Sequence, residues 1–465
     1  MAVQGPGMSE LADDLEFIDD DREFNYADAL RVPARRDGPP PSLDERRADE
    51  RRRLTSAAGF DLFLALVVGV LCAIGLLMVY SASIDVSYQA TGDASNTTYF
   101  FVRQARSMAI GLALLVLVTR LDYHFWRRIA VPMMLVVMLL LIAVLRFGET
   151  RFEAQRALLR GSFQPGELAK FAVVVYMAAW LASKRQKLRK ITYGLLPFTV
   201  VVGLIAFLII LQPDLSTAAS ILATALSMFF IAGADWFQLL VIGGAMGVAG
   251  YQLATRLEYA RQRLDAYFAA VEDLTQASDH VQQAVTAFIN GGLTGVGLGE
   301  GKQKFANTLP FPHTDSIFAI IGEELGLLGT FLVLALFVLL IYRGFTVARH
   351  APDAFGGLLA AGVTCWIAYD ALLNIAVMTA LIPPTGVPLP FISYGGSSLV
   401  AAMAGVGVIL SVSRAIGRSA RPVRSQVPRR TVPPAKWRDA REDHDLSRRD
   451  RRRRIPRVGR RLGGA

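Results

Sequence analysis

The stretch LPFPHTDSIFAIIGEELG, residues 309–326, sets His313, Asp315, Glu323 and Glu324 at the mouth of an otherwise apolar segment. One use is structural: Thr314 or Asp315 would cap the helix that begins there, where an acid also suits the positive end of the helix dipole. Capping leaves His313 and the glutamates unexplained. On a helix, Gly322 would sit beneath Asp315 with Ala319 near the same line, so Asp315 would stand over small residues where another helix or a ligand can approach. Glu323 would lie about two turns, roughly 12 Å, deeper. An acid at that depth faces a bundle interior or a water-filled cavity and has a partner.

Other polar groups share this character. In QPGELAK, Glu167 and Lys170 are three apart, so a helix would put them on one face, as an ion pair bolting helices together or as acid–base chemistry. Asp214 follows a proline in QPD, and PLPFISYGGSS offers broken backbone with Ser393, Tyr394, Ser397 and Ser398 as neutral hydrogen-bond partners. GVGLGEGKQK fails the Walker pattern: Val296 stands where the first glycine belongs and Gln303 follows Lys302. ATP and NAD are not indicated, although a glycine-rich loop with lysines can wrap an anionic group. HExxH and GxSxG are absent, and Cys72 and Cys365 form no zinc or disulfide framework.

The elements that must position these groups are apolar. Of 465 residues 53% are hydrophobic, and they gather in runs such as IAVPMMLVVMLLLIAVL. About 20 such residues span roughly 30 Å of hydrocarbon as a helix. The sequence predicts an all-α polytopic membrane protein with ten helices, near 59–82, 103–120, 128–146, 166–183, 193–211, 215–232, 236–254, 316–342, 357–381 and 396–415. Residues 1–58 carry 14 acids and 9 arginines, which suits a disordered tail and no cleavable signal peptide. Residues 417–465 form an Arg-rich second tail; from 421 onward it holds 16 Lys+Arg and 5 Asp+Glu. Nucleic acid is one partner for such a tail, but beside a membrane span contact with anionic lipid is the simpler reading.

Basic segments precede the first span, join the second to the third and the fourth to the fifth, and follow the eighth and tenth. All fall on one side for an even helix count, which puts both termini in the cytoplasm. Arg146, Arg151, Arg156 and Arg160 break the bias and need another reason to be outside. The outer face then holds the 147–166 loop, the LQPDLST turn, the long 255–315 segment between helices seven and eight, and IPPTGVPLPFISYGGSS. The long segment reads as amphipathic helix followed by a glycine-rich loop.

QPGELAK, QPDLSTA, HTDSIFAIIGEELGLLG and NIAVMTALIPPTGVPLPFISYGGSS together resemble the SEDS family, the FtsW, RodA and SpoVE group, with the likeness running over about 60–416. The resemblance implies a ten-helix peptidoglycan glycosyltransferase of the bacterial cytoplasmic membrane that joins lipid II into glycan strands in cell division or elongation, with an FtsW-like cast. It carries the family's essential aspartate onto Asp315 and its embedded ion pair onto Glu167 and Lys170. It also marks Arg156, Arg263, Gln303 and Lys304 in the outer loops. Departures are Gly166 for the usual serine, Ala157 for a common tryptophan, a spacer one residue longer in FANTLP, and Asp370 at a position usually glutamine.

On that footing Asp315 is the expected base for the acceptor hydroxyl. Arg156, Arg263 and Lys304, with Arg160 weaker, are the expected partners of the leaving pyrophosphate. Gln303, His313, Ser393 and Ser397 are further substrate-binding candidates, and His313 either orients Asp315 or makes a loop hydrogen bond. No metal constellation is readable; Mg²⁺ or Mn²⁺ is implied only by the substrate. Implied partners are lipid II, a class B penicillin-binding transpeptidase, other divisome or elongasome proteins and membrane lipids, with no nucleic acid. The rival reading is a lipid II flippase or another carrier of lipid-linked substrates, which would rely on midplane acids such as Glu323 or Asp370.

Overall fold

The fold is described from a computed structural model. It covers residues 60–419 except 93–95, 148, 152–153, 158–163, 185–187, 189–193, 273–278 and 306–307, with backbone alone for 149–151, 154–157, 254, 259, 270–272, 279 and 419. Both tails lie outside the described residues.

Thirteen helices are described, and eight are long and apolar enough to cross a membrane: α1 Leu62–Ala82, α3 Tyr99–Arg120, α4 His124–Phe147, α5 Pro165–Lys184, α8 Trp236–Arg256, α11 Ile317–His350, α12 Ala354–Met378 and α13 Gly396–Ser419. Two expected spans are shorter apolar helices, α6 Leu195–Ile210 and α7 Leu215–Ile231, of 16 and 17 residues. Both reach only about 24–26 Å at the helical rise. α2 Ile84–Thr91 follows the first span, and α9 Glu258–Glu272 and α10 Asp279–Gly291 lie between α8 and α11. One feature departs from the all-helical expectation: β1 Glu149–Arg151 and β2 Ala154–Ala157 form an antiparallel hairpin.

Helix starts follow local chemistry. Asp61, Asp214, Asp235 and Asp353 are N-cap residues whose carboxylates accept the orphan N–H groups of Leu64, Thr217, Phe237 and Gly356. The QPD motif therefore serves as a cap, with Thr217 Oγ1 also donating to Asp214 at 2.9 Å. Asp61 in addition receives Arg343 through Nε at 3.0 Å and Nη2 at 2.6 Å, which locks the start of α1 to α11. α5, α12 and α13 are the most enclosed of the long helices, at 67%, 72% and 78% of their apolar windows. They form the centre that carries the candidate site.

α11 has 34 residues and is broken at Gly326 (φ 65°, ψ −165°). The glycine-rich segment after α10 fills the break with backbone hydrogen bonds: Val296 and Gly297 N–H donate to the carbonyls of Glu323 and Glu324, and Leu327 and Leu328 N–H donate to Gly292 and Leu293. Irregular backbone of this kind survives in a membrane protein when it is buried in protein. The approach requires glycine at Gly295, which has φ +81° and whose added Cβ would run into Glu324 O. Gly295→Ala is expected to cost about 2–4 kcal/mol, measured as a lower melting temperature in detergent; an unchanged transition would contradict the stitched break.

Candidate active site

Asp315 does not belong to a helix. Ser316 is the N-cap residue of α11 and makes no side-chain cap, because its hydroxyl turns back to Pro310 O at 2.7 Å. Neither Thr314 nor Asp315 occupies the N-cap position: Thr314 Oγ1 donates to Phe311 O at 3.3 Å, and Asp315 precedes the N-cap residue. The expected alignment of Gly322 beneath Asp315 presumed a helix that includes Asp315, whereas α11 begins at Ile317. Gly322 instead admits the Phe288 ring of α10.

The 313–315 backbone is gripped carbonyl by carbonyl. Tyr394 N–H donates to His313 O at 2.9 Å, Ser393 Oγ to Thr314 O at 2.7 Å and Asn374 Nδ2 to Asp315 O at 2.8 Å. Ser393 accepts in turn from Leu389 N–H at 2.8 Å. The helix-breaking residues of PLPFISYGG thus supply a mount of fixed hydrogen bonds for the aspartate.

Asp315 and Thr314 open on a cavity of about 470 Å³. Arg103, Arg106 and Ser107 of α3 line it, with Gln164 and Glu167 at the start of α5, Thr217 of α7, Gly386, Pro388, and Tyr394–Ser398 at the start of α13. Buried Gln104 ties α3 to the 393–395 backbone: its Nε2 donates to Ser393 O at 3.1 Å, and its Oε1 accepts from Gly395 N–H at 3.4 Å. Arg103 also donates to Tyr99 Oη at 2.9 Å. Gln164 N–H donates to Ser397 Oγ at 3.1 Å, joining the starts of α5 and α13. Two guanidinium groups and the positive end of α13 therefore face one space with one carboxylate of the HTD motif, a combination that attracts an anion beside a base.

Beneath the cavity lies a buried ion cluster. Lys170 Nζ is 2.9 Å from Glu167 Oε1 and 2.8 Å from Asp370 Oδ2. Asp370 also accepts from Ser220 Oγ at 2.6 Å and Trp366 Nε1 at 2.7 Å. The three charged side chains are 2–3% exposed. The departure at Asp370 thus has a physical partner, and Glu167 both belongs to the cluster and lines the cavity.

Several expected ligands have other places. Lys304 lies outside the cavity lining: its Nζ, 3% exposed, is 2.8 Å from Glu324 Oε1, 3.1 Å from Ser81 Oγ and 2.6 Å from Gly299 O. Gln303 lies beside it, and the N–H groups of Lys302 and Gln303 donate to the Glu323 carboxylate. The anion that the glycine-rich loop wraps is the protein's own pair of glutamates. Arg263 is exposed and donates to Pro384 O at 3.4 Å. Arg156 sits on β2 with its side chain outside the description, and Arg160 lies outside the described residues.

His313 packs between Phe100 and Tyr394, with ring centroids 4.6 and 5.4 Å away, and its buried Nδ1 has no hydrogen-bond partner among the described residues. Burial pushes its imidazole down to about 4, so it is neutral at physiological pH. Among the described residues no three His, Cys, Asp or Glu side chains converge as a metal site.

Arg103 and Arg106 are the functional candidates the sequence reading missed. Their signal was two arginines one helical turn apart at the end of the second span opposite its RLDYHFWRR loop, where the charge bias disfavours them.

This is a polytopic helical membrane protein with a polar cavity built from helix ends and broken backbone. The chain belongs to the FtsW/RodA/SpoVE family, described as Cell cycle protein, whose family model matches residues 61–417. It is 38% identical over 358 residues to a probable peptidoglycan glycosyltransferase FtsW of Geobacter metallireducens, covering 76% of this chain and 94% of the relative. It is 38% identical over 359 residues to stage V sporulation protein E of Bacillus subtilis, covering 76% and 97%. Among solved structures it is similar to a chain of a peptidoglycan synthase complex that coordinates polymerization and crosslinking, with 27% identity, coverage of 77% and 98%, and a TM-score of 0.62. Rod shape determining protein RodA of Thermus thermophilus gives 27% identity, coverage of 76% and 97%, and a TM-score of 0.57.

Proposed function

We propose that this chain is a peptidoglycan glycosyltransferase that polymerises lipid II at the outer face of the bacterial cytoplasmic membrane, with both termini inside. The observation that carries the proposal is one cavity uniting Asp315, Arg103, Arg106 and the start of α13. The acceptor sugar hydroxyl gives its proton to the Asp315 carboxylate as its oxygen attacks the donor anomeric carbon. The bond from that carbon to the diphosphate oxygen breaks with its electron pair leaving on the diphosphate, so the linkage inverts without a covalent enzyme intermediate. Arg103, Arg106 and the α13 N-terminus stabilise the departing charge. A divalent cation, where one takes part, would come with the diphosphate, and no step here depends on it.

The printed names of the relatives and the solved synthase complex support the same reading. They favour a class B transpeptidase as partner and an FtsW-like role in division. The carrier alternative relies on midplane acids that can change partners. Asp370 is held by Lys170, Ser220 and Trp366, and Glu323 by two backbone N–H groups, which favours the polymerase. The test gives labelled lipid II to the purified chain with its cognate transpeptidase, and in parallel follows its movement across vesicles. Glycan strands support the polymerase; translocation without strands would overturn it.

A further inference from the structure

Asn374 lies on α12 and is 2% exposed. Its Nδ2 donates to Asp315 O at 2.8 Å and to Val387 O at 2.9 Å. Only the amide nitrogen can face two carbonyl oxygens, so the orientation of the group is fixed by its partners. The two carbonyls belong to two separate segments of the chain that both contribute to the cavity lining, Thr314 and Asp315 from one, and Gly386 and Pro388, flanking Val387, from the other.

The helix itself does not claim the Asp315 carbonyl. Ala319 N–H, the donor four residues on, bonds to Ser316 O at 3.0 Å. Asn374 supplies the missing donor from a different helix. One turn earlier on that helix, Asp370 is joined to Lys170 of α5 and Ser220 of α7. A chain of contacts therefore runs from the buried ion cluster through α12 to the backbone of the candidate base.

We propose that Asn374 is a positioning residue: it sets the placement of Asp315 against the 386–388 wall, and so the alignment of the acceptor hydroxyl with the donor carbon. This rests on the reading of Asp315 as the base. A displacement of about 1 Å at a reacting group is enough for a 100-fold loss of rate.

The test compares the wild type with Asn374→Leu and Asn374→Gln in the full chain with its cognate transpeptidase. It combines lipid II polymerisation kinetics with hydrogen–deuterium exchange. For Asn374→Leu, kcat should fall about 100-fold with KM within about threefold, and exchange should rise in 311–316 and 386–394 alone. Asn374→Gln, which keeps both N–H donors on a longer arm, should recover about tenfold of the lost kcat. An unchanged kcat in the leucine variant would overturn the proposal, as would a lost kcat with exchange unaltered in both segments. Exchange rising across the whole fold would make the role merely structural. Should the leucine variant fail to fold, the glutamine variant decides: kcat reduced about tenfold with exchange changed only at the two walls supports the proposal, and wild-type values of both overturn it. If Asp315→Asn keeps full activity, the base reading fails on its own, and the exchange data still show whether Asn374 couples the walls.

Discussion

Lys170→Met is expected to destabilise the protein by about 3–5 kcal/mol, enough to abolish most folded material in detergent. Lys170 is the cation between Glu167 and Asp370, at 2.9 and 2.8 Å. Removing it leaves two carboxylates facing each other in a site with 2–3% exposure. The desolvation cost was met by the ammonium group, so breaking the cluster is far more damaging than never having built it. A triple change, Glu167→Gln, Lys170→Met and Asp370→Asn, removes all three charges together and should restore much of the lost folding. Thermal denaturation monitored by size-exclusion chromatography reads both variants. A Lys170→Met protein melting within about 2 °C of wild type would mean that the cluster carries little energy, as surface ion pairs do.

The second large effect is expected at the arginines. Arg106→Gln and Arg103→Gln should each lower kcat by about 10²–10³, the loss typical of removing one preorganised group that stabilises charge developing at a leaving oxygen. Glutamine keeps a hydrogen-bonding amide on a shorter arm and removes the charge, so the substitution tests chiefly electrostatics. Arg103 also holds Tyr99 Oη, so its variant should lose some local order in addition. KM should move less than kcat, because the diphosphate gains charge as the anomeric bond breaks. Initial rates of strand formation over a range of lipid II concentrations separate the two parameters. A change confined to KM would place the arginines on the ground-state substrate.

Much of the membrane fold was legible because hydrophobic runs of adequate length leave the chain few choices. The expected 316–342 helix was too short because apolar length sets a minimum, while α11 continues to His350 as a polar extension. Asp315 stood out as an acid at the mouth of an apolar helix. Its mount did not, since Asn374, Ser393 and Tyr394 act from 59 to 81 positions away through backbone carbonyls that have no side-chain signature.

Arg103 and Arg106 were absorbed into the end of a span by their apolar neighbours. The role of the glycine-rich loop was hidden for a different reason. Its lysine and backbone N–H groups looked like free donors for an outside anion, and only the break at Gly326 brings Glu323 and Glu324 to meet them. Asp370 read as an isolated ionisable group because its partner Lys170 is 200 residues away.

The most direct measurement compares the wild type with Asp315→Asn, both folded and both bound to the cognate transpeptidase, in the polymerisation of labelled lipid II. Asparagine keeps the shape of the side chain and the carbonyl grips on its backbone, and loses only the proton acceptor. Strands from the wild type and a rate at least about 10³-fold lower from the variant are the predicted result. Equal strand formation by both would contradict Asp315 as the base.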